Sequence, residues 1–152
     1  MTGISYEVEI DNVDMEAELA RRLSQMEDLT PFHRIVGEHL LLSLDERFES
    51  ETAPDGSPWQ RHSPVTIALR LKKYGNAPLT ILRAGGYLSQ LNVNSNADHV
   101  RIGSALAYAA IQHFGGKAGR NKKVTIPARP YLGLSNDDRT AIVEIAEDWL
   151  SN

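Results

Sequence analysis

The 152-residue chain contains no cysteine, so disulfides and thiolate metal sites are excluded. Aromatic residues make up only 7% of it, with two tryptophans among them, so each large ring must count heavily in whatever core forms. Long hydrophobic runs are missing too: stretches such as Leu40-Leu41-Leu42 fall far short of a bilayer span. The start, Met1-Thr2-Gly3-Ile4-Ser5-Tyr6-Glu7, has no basic region followed by an apolar one, so no signal peptide is read. These features predict a soluble, cytoplasmic chain with no membrane partner. A strong excess of positive charge is also lacking. The formal net charge is -4, which argues against a protein devoted to wrapping duplex DNA.

What is present is ordinary globular material, 41% hydrophobic and 24% charged, sized for one domain spanning 1–152. Ile4, Tyr6, Val8 and Ile10 alternate with Ser5, Glu7 and Glu9, the period-two pattern of a half-buried strand. Met15, Leu19, Leu23 and Met26 predict a first helix running to about Glu27. Thr30-Pro31 opens a longer one to about Ser50, with Phe32, Ile35, Val36, Leu40, Leu44 and Phe48 along one face. Pro54-Asp55-Gly56 reads as a turn before Trp59, and Ser63-Pro64 starts a helix that ends at Gly75. A turn or short helix at 82–91 leads to a hairpin with arms 91–95 and 99–104. Residues 105–114 then read as helix and 124–126 as extended. Ser135 and Asp138 approximate a capping box for a last helix whose Ile142, Ile145, Ala146 and Trp149 share a face. The mixture lacks a βαβ rhythm, which predicts an α+β single domain with a small antiparallel sheet packed with several helices. Trp59, Phe32, Ile35, Val36, Leu40, Phe48, Ile102, Ile142 and Trp149 are expected to form one core.

No catalytic or metal motif emerges. His33 and His39 lie about 240° apart around a helix and cannot grip one ion together. Glu38-His39 lacks the second histidine of a zinc-protease helix. Gly115-Gly116-Lys117 has Ala118 where a phosphate loop needs a hydroxyl, and no serine elbow occurs. No cofactor is expected.

Two charged stretches stand out instead. Asp45, Glu46, Glu49, Glu51 and Asp55 surround a single Arg47, at a helix end where acids oppose the dipole. Lys117, Arg120, Lys122 and Lys123 put four positive charges into seven residues beside Gly119. The glycines and mutual repulsion predict a mobile loop over 115–123 that orders against an acidic surface. Trp59 is expected to be a core anchor. Arg129, ahead of Pro130 in a stiff segment, should be tied to carbonyls or a carboxylate.

The order of several spaced motifs resembles a known family. Gly103-Ser104, Tyr108-Ala109, Phe114-Gly115-Gly116 and Pro127-Ala128-Arg129-Pro130-Tyr131-Leu132-Gly133 occur in the order seen in phage virion morphogenesis proteins. These are the tail completion proteins of contractile-tailed phages such as Mu. The likeness extends upstream to Pro54-Asp55-Gly56-Ser57-Pro58-Trp59, to Thr66 and to the stretch from Ile81 to Leu88, covering roughly residues 30 to 145. It differs in having Gln112 before His113, the reverse of the usual order. The resemblance implies a non-enzymatic structural protein that completes the tail at its head-proximal end for head–tail joining. It further implies self-association, with a ring as the form that tail symmetry suggests, and tail tube or head–tail connector proteins as partners. The place of action would be the host cytoplasm during assembly and then the virion, in a phage or a prophage. Two other readings of the residues stay open: a nucleic-acid-binding module gripping phosphate with 117–123, and a small hydrolase using His113 with a carboxylate.

Overall fold

The computed structural model describes residues 13–75, 79–83 and 88–152. The strand expected over 4–10 and the stretch 84–87 of the family-like motif lie outside them. Five helices and four short strands follow in the order α1 (Val13–Glu27), α2 (Thr30–Ser50), α3 (Pro64–Tyr74), β1 (Asn92–Ser95), β2 (Val100–Gly103), α4 (Ala109–Phe114), β3 (Gly116–Ala118), β4 (Val124–Ile126) and α5 (Asn136–Ser151). The class is α+β. The strands form two separate antiparallel ribbons, β1–β2 and β3–β4, instead of one sheet.

Local chemistry explains most of the boundaries. Pro31 opens α2, and Glu51, in the left-handed region at φ 57°, closes it with its amide on Arg47 O. Ser63 caps α3 by accepting from the Thr66 amide at 3.2 Å. Ser135 and Asp138 form a reciprocal capping box on α5, in which each side chain accepts the other's amide. The helix expected over 105–114 begins only at Ala109. The Ser104 hydroxyl takes the Leu106 amide at 3.2 Å, which offers the backbone a turn in place of a helical start.

α2 and α5 run antiparallel. Phe32 at the start of α2 meets Trp149 near the end of α5, ring centroids 5.9 Å apart. Arg47 near the end of α2 meets Asp138 at the start of α5. The β1–β2 ribbon lies across α2 at Gly37, where an added Cβ would come within 2.9 Å of Val93 Cγ1. Phe48, Ala53, Trp59, Ile81, Leu88, Ala109 and Tyr131 form the buried cluster, gathered around the C-terminal end of α2. Val36 and Leu44 are also buried along α2.

The expected core needs correction at Ile35, which is 42% exposed. The covered stripe of α2 runs through Val36, Gly37, Leu44, Arg47 and Phe48, and one residue's rotation about the axis carries Ile35 off it. Phe32, Leu40, Ile102, Ile142 and Trp149 are half-buried and not enclosed. The apolar stripe of α1 is uncovered as well: Leu19, Leu23 and Met26 are each more than half exposed.

Candidate functional site

The charged groups sort into a buried network that holds the domain together and three solvent-facing features. Arg47 does not lie among the acids of its own helix. It turns inward, donating to Tyr131 O at 2.9 Å, to Gly133 O at 2.8 Å and to Asp138 Oδ2. Asp138 also accepts the Ser135 amide, and its other oxygen faces His39 Nε2 at 3.3 Å. Burial pushes the Asp138 carboxyl up, but hydrogen bonds from Ser43 and Ser135 and the charge of Arg47 outweigh that and leave it below the usual range. Neither residue was singled out for this role in the sequence, where Arg47 reads as an isolated base and Asp138 as a cap.

The proline-locked segment is tied down as expected. Arg129 is buried and donates to Gln60 O at 2.8 Å and Arg61 O at 3.2 Å. Pro130 offers its carbonyl to Trp59 Nε1 at 2.7 Å, and the Trp59 ring stands edge-on to Phe48. Tyr131 is almost wholly enclosed, with its hydroxyl donating to Ala109 O. Trp59, Arg129 and Pro130 thus all make their contacts inside the fold.

Withdrawal of Arg47 leaves Asp45, Glu46 and Glu49 as an exposed acidic group on the last turns of α2. Glu51 and Asp55 drop out of it. Glu51 accepts the Ile81 amide at 2.8 Å, and Asp55 closes its own turn on Ser57.

The basic stretch is not the loop expected of it. Gly116–Ala118 pairs with Val124–Ile126, and residues 120–122 make a tight 3-10 turn between the strands. Lys117, Arg120, Lys122 and Lys123 are all exposed on this ribbon, and Lys117 Nζ donates to Thr125 Oγ1 at 2.7 Å. Gly115 fixes its base. A Cβ there would fall 2.7 Å from Ala128 N, so only glycine lets the ribbon lie against the 126–128 backbone. The extended 124–126 run already held the missing partner strand for 116–118.

The third feature is a cleft of about 420 Å³ between α3, β4 and the chain around Gln60 to Ser63. Arg61, His62, Arg70 and Arg129 line it together with Thr66, Tyr108 and Val124, and among the described residues no carboxylate does. Burial drives the His62 imidazole toward its neutral form, against the pull of the Thr80 carbonyl it contacts.

His113 is spent on the fold. Its Nδ1 faces the amides of Tyr131 at 3.3 Å and Leu132 at 3.4 Å, so the neutral ring serves as acceptor, and burial lowers its affinity for a proton. His33 meets Asn96 O, and His99 meets the Asn96 side chain. Among the described residues no three metal-binding side chains come together.

With that geometry in place, comparison with known proteins is decisive. The model of the phage virion morphogenesis family matches residues 10–151. The chain belongs to that family. It is similar to "Mu-like prophage FluMu G protein 2" of Haemophilus influenzae, 32% identical over 94% of each chain. It is also similar to "Putative capsid assembly protein G" of Escherichia phage Mu, 35% identical over 74% of this chain and 71% of the other. No solved structure matches. The family assigns a structural role in building the phage particle, and the motifs that carry the likeness now have places. Trp59, Arg129, Pro130 and Tyr131 are the joint between the two ends of the fold, and Gly115 is the base of the basic ribbon.

Proposed function

We propose that this protein completes the phage tail at its head-proximal end and so prepares it for head–tail joining. The observation that carries the reading is the basic ribbon itself: four exposed cations on a hydrogen-bonded hairpin that is wedged by Gly115 onto the domain. A surface held in shape in this way suits repeated protein contacts, in which binding free energy is spread over interfaces. The exposed Asp45, Glu46 and Glu49 supply a second, unlike patch on the same domain. Head-to-tail pairing of unlike patches is what closes a ring, and a ring suits the end of a tail tube. The protein would act in the host cytoplasm during assembly and remain in the virion, against tail tube or connector proteins.

Charge reversal at Lys122 and Lys123, scored by completion of headless tails in a reconstitution assay, tests this. Completion should fail, and reversal of Glu46 and Glu49 on the same chain should restore it. Normal completion by the reversed protein at physiological salt would refute the role of the ribbon. Failure without rescue moves its partner to another virion protein, or to DNA phosphate if duplex binding by the native protein falls steeply with salt.

A further inference from the structure

The cleft beside β4 has no place in the reading above, and its chemistry is one-sided. Arg61, Arg70, Arg129 and His62 face it, and among the described residues no carboxylate lines it. Arg70 and Arg129 direct donors to the carbonyls of Thr80, Gln60 and Arg61 and are paired with no acid among the described residues. Arg61 is 88% exposed at its side chain, and among the described residues its one acidic neighbour is Glu51 at 3.7 Å. Burial of Arg129 next to Arg70 lowers its hold on its proton, with Glu51 opposing, so the site is short of negative charge. Leu88, Tyr108, Val124 and Ile126 give the same cleft an apolar wall. β4 pairs with β3 along one edge and with no described strand along the other.

An acidic chain in extended form, apolar on one side, answers each of these features. A phosphate backbone would leave the apolar wall uncovered. The protein's own sequence contains such a chain: Ile4, Tyr6, Val8 and Ile10 alternate with Ser5, Glu7 and Glu9, and Asp11 follows. It leads into α1, whose Leu19, Leu23 and Met26 are each more than half exposed. α1 is joined to its own domain through Arg22, which donates to Leu150 O. Leu150 is at the Phe32–Trp149 end of the α2–α5 pair, whereas the cleft adjoins Trp59 at the other end.

We propose that the cleft receives residues 4–11 of a second copy of this chain, added along the free edge of β4 with Glu7 and Glu9 toward the arginines. Strand addition gives main-chain pairing, and the alternating side chains give the fit. This contact is separate from the ribbon–patch pairing and holds wherever in the virion the protein acts.

The absence of native cysteine allows a direct test with the full-length protein. One preparation carries Ser5→Cys and another Gln60→Cys, changes that leave every charge in place. The two are mixed and treated with a short thiol-to-thiol crosslinker. A mixed crosslinked pair should form, faster than between Ser5→Cys and a control Glu144→Cys on exposed α5. Adding Arg61→Glu to the Gln60→Cys chain should slow it about tenfold, as reversal of a steering charge does. Glu7→Arg or Glu9→Arg on the Ser5→Cys chain should restore the rate. Crosslinking no faster than the control overturns the proposal. A third preparation carries both changes on one chain; crosslinking confined to it, within single chains, also overturns the proposal, because the occupant would then be the subunit's own segment. Duplex DNA binding abolished by Arg61→Glu, without the mixed pair, would overturn it in favour of a phosphate site.

Discussion

Arg47 and Asp138 are each withdrawn from solvent, and each satisfies the other while also holding main-chain groups of the 131–135 stretch. A buried pair of this kind is costly to leave half-made, because the surviving charge loses its only counterion. Asp138→Asn should therefore destabilise the protein by about 3–5 kcal/mol in urea unfolding. Glu147→Gln, at an exposed position on α5, should change it by less than about 0.5 kcal/mol. Histidine gives a second prediction at this scale. Burial lowers the proton affinity of His113 and of His62, so the unfolded chain takes up protons at these positions before the folded one does. Their contribution to stability is full above the ordinary histidine pKa of about 6.5 and is lost as pH falls through the lowered folded values. Unfolding free energy should decline as pH drops below that point. In His113→Asn, which keeps an acceptor for the Tyr131 and Leu132 amides, the decline should shrink to the part due to His62. Asp138 adds a later decline, confined to pH below about 3.8, because its folded carboxyl is held below the usual range.

Among the elements, α2 and the β1–β2 ribbon meet at Gly37, a residue that costs a helix about 1 kcal/mol relative to alanine. Its presence is explained by Val93 Cγ1 at 2.9 Å and Val100 Cγ2 at 3.2 Å from where a Cβ would stand. Both neighbours are branched at Cβ and have little freedom to give way. Gly37→Ala should thus be destabilising by about 1–2 kcal/mol, with overpacking outweighing the gain in helix propensity. In a Val93→Ala background the same change should become neutral or stabilising, as a thermal-melt double-mutant cycle would record. The elements also show what the sequence made legible. α2, α3, α5 and the β1–β2 hairpin carry their own punctuation in Pro31, Ser63-Pro64, Ser135 and the 96–98 turn, and they appear near the expected bounds, as does α1 from its apolar spacing. The β3–β4 ribbon was missed because its first strand, Gly-Lys-Ala, has no β-branched residue and its turn holds Asn121 and Lys122 at positive φ. Pairing with 124–126 overrides a composition that on its own reads as loop. The cleft escaped notice for a related reason. Arg61, Arg70 and Arg129 are scattered through the sequence and become one feature only when the 59–63 chain and the 127–131 segment are joined.

At the scale of the whole molecule, the parts that hold the fold together come from its two halves. Phe48 and Trp59 from the first half close on Tyr131 from the second, and Arg47 spans 84, 86 and 91 residues to reach its partners. Nothing in the first half can complete this cluster alone. A chain ending after Ala128 should show no cooperative unfolding transition in circular dichroism against urea, only a gradual loss of helical signal. Synthesis proceeds at about 5–20 residues per second, so the apolar face of α2 stays uncovered for several seconds until Tyr131 has been made. The buried arginine thus finds its partners only when the chain is nearly complete. A chain ended before Tyr131 cannot form the joint around Trp59, and so has no finished surface with which to enter a growing particle and spoil it.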